Sequence, residues 1–226
     1  MIDDVNGPRS LTPKETLFFF VAGLLLNAFG NGLTVSTNMG SAPWTAATAN
    51  LANVTHTNIA VYLGIFGFVA AIVVTLMLRH FDAKQFFGNL IFVALFSLTL
   101  SYTNQFFIDL GVGQLPTLIR FLIDLVGLAF IGAGVSISQR LHFVLHPLDD
   151  MTNVMRFNYF NGNVVIAQTI NFAIPMSISL IVWLLTGKII AINVGTIIAF
   201  LGMGIVIGTA DRFVFPQLKH RDNFKL

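Results

Sequence analysis

Few residues in this chain could do chemistry, and their types are narrow. Four carboxylates fall in or beside apolar sequence: Asp124, the adjacent Asp149 and Asp150, and Asp211. Asn27, Asn31 and Thr34, spaced four then three, line one face of a helix. Such groups in apolar surroundings either bind polar solutes and protons or tie helices together. His142 and His146 stand four apart just before Pro147. They lack a third ligand at suitable spacing and the proline interrupts the segment, so no metal site is expected and both are read as interfacial. No phosphate loop, nucleophile elbow, catalytic carboxylate pair or zinc-protease motif is present, so neither an enzyme nor a cofactor is expected. Basic residues are scattered at loop ends, which argues against nucleic acid as a partner.

The elements that must position these residues are apolar helices. The 226 residues are 55% hydrophobic and only 10% charged, with 23 phenylalanines, and the mean hydropathy is +0.81. Soluble domains carry about 25% charged residues, so the expected partner is a lipid bilayer. Hydrophobic runs of about twenty residues, the length a bilayer requires, fall at 16–37, 58–79, 85–108, 116–138, 163–187 and 189–213. The fold class read from this pattern is all-α, a polytopic helical membrane protein. The N-terminus is acidic and polar, unlike a cleaved signal peptide. With it in the cytoplasm, Arg9, Lys14, Arg79, Lys84, Arg140, Arg156, Arg212, Lys219, Arg221 and Lys225 all fall inside. Lys188 and Arg120 alone fall outside, and both termini are cytoplasmic. With no cysteine there is no disulfide framework to consider.

Two stretches share a design. At 27–50 and again at 132–154 an apolar, glycine-bearing helix runs into a polar segment, meets a proline (Pro43, Pro147) and starts a second short helix, 44–54 and 148–160. Sliding the chain by 104 residues superposes Gly23-Leu24 on Gly127-Leu128, Gly30 on Gly134, Thr34 on Ser138, Pro43 on Pro147 and Thr48 on Thr152. A shift of 107 places Gly88 on Gly195, Asn104 on Asp211 and Phe106 on Phe213. The reading is two three-helix repeats, 16–110 and 116–214, between cytoplasmic tails 1–15 and 215–226. Three spans per half force the second repeat to be inverted relative to the first. Two readings of the proline segments stay open: they dip into the membrane with their N-terminal ends aimed at a central site, or they lie on its surface with Trp44 as an anchor.

These residues resemble the YczE/YyaS/YitT-like small integral membrane proteins of bacteria. The likeness rests on Gly40-Ser41-Ala42-Pro43-Trp44-Thr45, on Pro147-Leu148-Asp149 and on Gly195-Thr196-Ile197, with Gly88-Asn89-Leu90 in the first half. Thr45 stands where that pattern carries an aspartate, and Val144 and His146 stand in a motif that usually carries glycine. The resemblance implies a bacterial inner-membrane location and a fold more than an activity.

The expected site lies between the two proline segments and the first helix of each half. Asn27, Asn31 and Trp44 come from one half and Asp149 from the other, with Asn104 and Asp211 closing it. Gly30, Pro43, Gly134, Pro147 and Gly195 are structural. Arg120 and Asp124, one helical turn apart, form an ion pair. Gln168 and Asn171, just before Pro175, face the amide stripe, and the proline implies a kink. Gly204 and Gly208, with Gly32 and Gly132, mark close packing within the chain or in a homodimer. The expected function is a permease for a small-molecule solute by alternating access. Alternatives are a substrate-binding subunit working with partner ATPases, and an accessory protein that transports nothing.

Overall fold

A computed structural model describes residues 1–4, 7–141, 143–188 and 192–220. His142 therefore lies outside the described residues. The chain opens with a two-stranded antiparallel hairpin, β1 (Ile2–Asp4) and β2 (Gly7–Arg9). Eight α-helices follow among the described residues: α1 (Pro13–Thr37), α2 (Pro43–Thr55), α3 (Ile59–Leu78), α4 (Ala83–Asp109), α5 (Thr117–Leu141), α6 (Pro147–Asn158), α7 (Val164–Thr186) and α8 (Val194–Phe213). Six of them, all but α2 and α6, are long and apolar enough to cross a bilayer. The protein is a polytopic helical membrane protein.

Helix ends follow local chemistry. Thr12 and Glu15 form a capping box at the start of α1, with Pro13 in the first turn. Asn58, Asp82, Asn163 and Asn193 cap α3, α4, α7 and α8 with their side chains. The Asn193 cap explains why the last helix begins at Val194 rather than near 189. α7 runs through Pro175 as one helix.

The core is the pair α1 and α5, which touch backbone to backbone. A Cβ on Gly30 would lie 2.6 Å from the Gly127 oxygen, and one on Gly134 would lie 2.7 Å from the Gly23 oxygen. Those four glycines are two pairs 104 residues apart, so one contact repeats the other. α4 packs on α1 as α8 packs on α5; α3 packs on α4 as α7 on α8; and α2 crosses to α7 as α6 crosses to α3. A Cβ on Gly204 would meet the Val165 backbone at 2.6 Å, so this glycine lets α8 lie against α7. Ile2 bridges to Leu218, and Asp3 N–H donates to the Gln217 oxygen at 2.8 Å, so the first strand lies against the segment after α8.

Candidate functional site

The short helices begin inside the bundle and run toward its opposite ends, and α2 finishes at the surface. Residues 39–43 and 45–48 are buried, whereas Asn53 and residues 55–58, where α2 ends, are exposed. α6 starts as deeply from the other end, and none of its residues is exposed. Residues 145–148 are buried, and its last turn sits by the chain ends, where Arg156 donates to Asp211 at 2.9 Å. Packing inside the bundle excludes a position along its outer surface. The two helix N-termini, each opened by a proline, converge on one central cavity of about 50 Å³.

Each approach segment hangs from the opposite half by a matched bond. Ser41 N–H donates to Thr196 Oγ1 on α8 at 3.0 Å, and Leu145 N–H donates to Asn89 Oδ1 on α4 at 3.0 Å. Ser41 and Leu145 are 104 residues apart; Asn89 and Thr196 are 107 apart. Asn89 also donates to the buried Asp150 carboxylate at 2.5 Å, as does Gln85 at 2.8 Å.

A chain of hydrogen bonds crosses the cavity wall from α2 through α1 to α6. Thr45 Oγ1 donates to Asn31 Oδ1 at 3.1 Å. Asn31 Nδ2 donates to Asn27 Oδ1 at 2.8 Å and to the Asn27 backbone oxygen at 3.0 Å. Asn27 Nδ2 reaches Asp149 Oδ2 at 3.4 Å. The amide stripe is thus both glue and lining. On the other side Trp44 Nε1 donates to Asn171 Oδ1 at 3.3 Å, and Asn171 Nδ2 donates to Thr152 and to the Leu148 oxygen on α6. Asn171 therefore faces Trp44 rather than the stripe, while Gln168 lines the cavity.

All the lining residues but Phe172 fall into pairs under the offsets of the helices that carry them. Asn27 and Asn31 on α1 oppose Ile131 and Val135 on α5; Ala42, Trp44 and Thr45 oppose His146, Leu148 and Asp149. Leu63 opposes Gln168 at an offset of 105, the offset of the α3 and α7 starts, and Phe96 opposes Met203 at 107. Position is repeated but chemistry is not. The α1 face is polar where the α5 face is apolar, and only the second half supplies a carboxylate.

Asn27, Asn31, Trp44 and Asp149 are brought together as expected; Asn104 and Asp211 lie elsewhere. Asn104 sits where α4 crosses Gly32 of α1, its Oδ1 without a partner among the described residues. Asp211 is held by Ser136 at 2.7 Å and Arg156 at 2.9 Å, with Arg140 at 3.5 Å and His220 at 3.4 Å. Arg140 also donates to the oxygens of Val214, Phe215 and Leu218, so this cluster fastens the chain after α8. Burial pushes the His220 pKa down, against the pull of Asp211.

Two further expectations are corrected. Arg120 and Asp124 form no direct ion pair: Arg120 donates to the Thr37 oxygen at 3.1 Å, and Asp124 accepts from the Thr37 hydroxyl at 3.0 Å. The end of α1 occupies the space between them. His146 is not interfacial. It is 5% exposed, caps α6 by accepting the Leu148 N–H on Nδ1 at 3.3 Å, and stacks edge-on against Phe96. Sequence reading missed Ala42, Leu63, Phe96, Ile131, Val135, Phe172 and Met203 in the lining. The repeat offsets were the signal that pairs several of them with polar positions.

Comparison with known proteins assigns a family but no activity. The chain belongs to the "Family of unknown function (DUF6198)", which it matches over residues 14–212, a range that includes nearly all of the six spanning helices. It is 24% identical over 196 residues to a protein of Haemophilus influenzae described as "Uncharacterized protein", covering 85% of this chain and 82% of that one. No solved structure matches.

Proposed function

We propose that this family member is a permease of the bacterial inner membrane, with cytoplasmic termini, in which two inverted three-helix repeats rock about the central cavity to pass a small polar solute. The observation that carries this reading is the meeting of two half-length helix N-termini, approaching from opposite ends, at one cavity whose largely apolar wall carries Asn27, Asn31, Thr45, Gln168 and Asp149. Irregular backbone and broken helices at membrane depth are tolerated only where they are buried in protein or line a cavity, and transporters place their sites there. The matched packing of the halves supports the same reading. Because the lining pairs lie about the seam between halves, a rocking motion would exchange which end reaches the solute while the α1 and α5 contact acts as the fulcrum.

A second cleft, of about 190 Å³, lies between the start of α4 and the segment before α6 and is lined by Lys84, Gln85, Asn89 and Leu145. It gives this reading a cytoplasmic approach to α6. Fold alone does not fix function, so the test is direct. Purified protein is screened for solutes that raise its melting temperature, then reconstituted alone into liposomes. Uptake of a stabilising solute above protein-free liposomes is the expected result. Binding without uptake would point instead to a subunit that needs partners, and no stabilising solute across metabolite and ion panels would refute both.

A further inference from the structure

The charge and hydrogen-bond inventory of the cavity narrows its solute, on the premise that the cavity is the permeation site. Most side-chain donors on its wall are already used. Asn31 commits both amide protons to Asn27, the Thr45 hydroxyl proton goes to Asn31, and the Trp44 indole proton goes to Asn171. The oxygens are not used up. Asn27 Oδ1 and Asn31 Oδ1 each receive one bond where an amide oxygen can accept two. Gln168 Oε1, on a residue 1% exposed, receives none among the described residues. Asp149 is the one carboxylate on the wall, partly accessible from the cavity, with a single 3.4 Å bond from a neutral amide.

Charge points the same way. The two helix N-termini bring about half a positive charge each, while Asp149 and Asp150 bring a full negative charge each when ionised. No lysine or arginine lines the cavity, and no cation lies within 4 Å of either carboxylate among the described residues. Asp150 is turned to Gln85 and Asn89 on α4. His146, the remaining titratable group on the wall, accepts a backbone N–H on Nδ1, which fixes its neutral form with the proton on Nε2. That Nε2 is buried without a partner beside Phe96, and the Gln168 amide nitrogen, which makes no hydrogen bond among the described residues, is another open donor on the wall.

We infer that the cavity takes a small monovalent cation bearing N–H groups, of ammonium or methylammonium size, with Asp149 as its counter-charge and the oxygens of Asn27, Asn31 and Gln168 as acceptors. At about 50 Å³ it admits a few heavy atoms, since one water needs about 10–15 Å³ on this measure. Trp44, Phe96 and Phe172 add aromatic rings to the lining, a residue type that attracts cations.

The test is thermal unfolding of the full-length protein in nanodiscs, titrated with ammonium, methylammonium, sodium and potassium chlorides, sodium formate and urea at matched ionic strength. Saturable stabilisation by ammonium and methylammonium is expected. D149N should weaken it at least about tenfold, with an unchanged elution profile. In the wild type, affinity should fall about tenfold per pH unit once the carboxyl titrates, because a proton competes for Asp149; this arm needs no variant. Saturation by formate or urea instead would overturn the cation assignment and leave the permease reading standing. Response to sodium or potassium alone would overturn the N–H requirement, and unchanged affinity in folded D149N would overturn the role of Asp149. Saturation by nothing would overturn the cation assignment, while the permease reading falls only if the wider solute screen is also empty.

Discussion

Adding one methyl group at Gly134 should loosen the whole bundle, and the structure fixes by how much. A Cβ there would lie 2.5 Å from the Asn27 nitrogen and 2.7 Å from the Gly23 oxygen. Ordinary contact begins near 3.4 Å, and the atoms met are helix backbone, which cannot rotate away. α1 and α5 must therefore part by several tenths of an ångström along the seam at the centre of the fold. A gap of about 0.5–1 Å forfeits a quarter to a half of each dispersion contact across it, and overpacking of this kind costs about 1–3 kcal/mol. Gly202 on α8 is the control, because a Cβ there meets nothing within 4 Å. Both substitutions to alanine gain the same helix propensity, up to about 1 kcal/mol, so their difference isolates the clash. G134A should be less stable than G202A by about 1–3 kcal/mol in reversible unfolding from mixed micelles, and Gly30→Ala, its counterpart, should behave like G134A. Equal stability of G134A and G202A would refute the close backbone approach on which the α1–α5 fulcrum depends.

Other expectations follow from the polar network. Asn31→Ala and Thr45→Val remove two ends of one bond, so a double-mutant cycle in unfolding free energy should show coupling of about 0.6 kcal/mol and at most about 1.7; strict additivity would count against the α1–α2 link. Thr196→Val strips the acceptor from the Ser41 N–H and should cost about 1–3 kcal/mol, with faster amide exchange at 39–42 and recovery in Thr196→Ser. Asp211→Asn leaves Arg140 and Arg156 without their counter-charge and should cost about 3 kcal/mol, while solute affinity per folded molecule stays unchanged; a large affinity loss would return Asp211 to the site. Asn104→Ala should likewise leave affinity unchanged, read in the same titration.

Much of the fold was legible because it is set by local chemistry. A run of apolar residues long enough to cross a bilayer has no other stable environment, so all six spans could be read, with ends shifted by a few residues, at α8 because the Asn193 cap decided the start. Pro43 and Pro147 marked the starts of α2 and α6, since a proline in the first helical turn loses no hydrogen bond. The 104-residue offset that aligned those prolines is also the offset of α1 and α5.

What the sequence determined by itself was this framework and the face on which Asn27, Asn31 and Thr34 lie, because helical periodicity is a property of one segment. Which atoms meet across the bundle was decided only by tertiary packing. Asn104 and Asp211 match in register as well as Thr45 and Asp149 do, yet only the latter pair lines the cavity. Asp124 was one turn from Arg120, yet Thr37, from the other half of the chain, came between them. Partners more than 80 residues apart approach through glycine contacts and approach segments whose depth no local pattern records. Burial then made each buried polar group find whatever donor or acceptor that approach delivered.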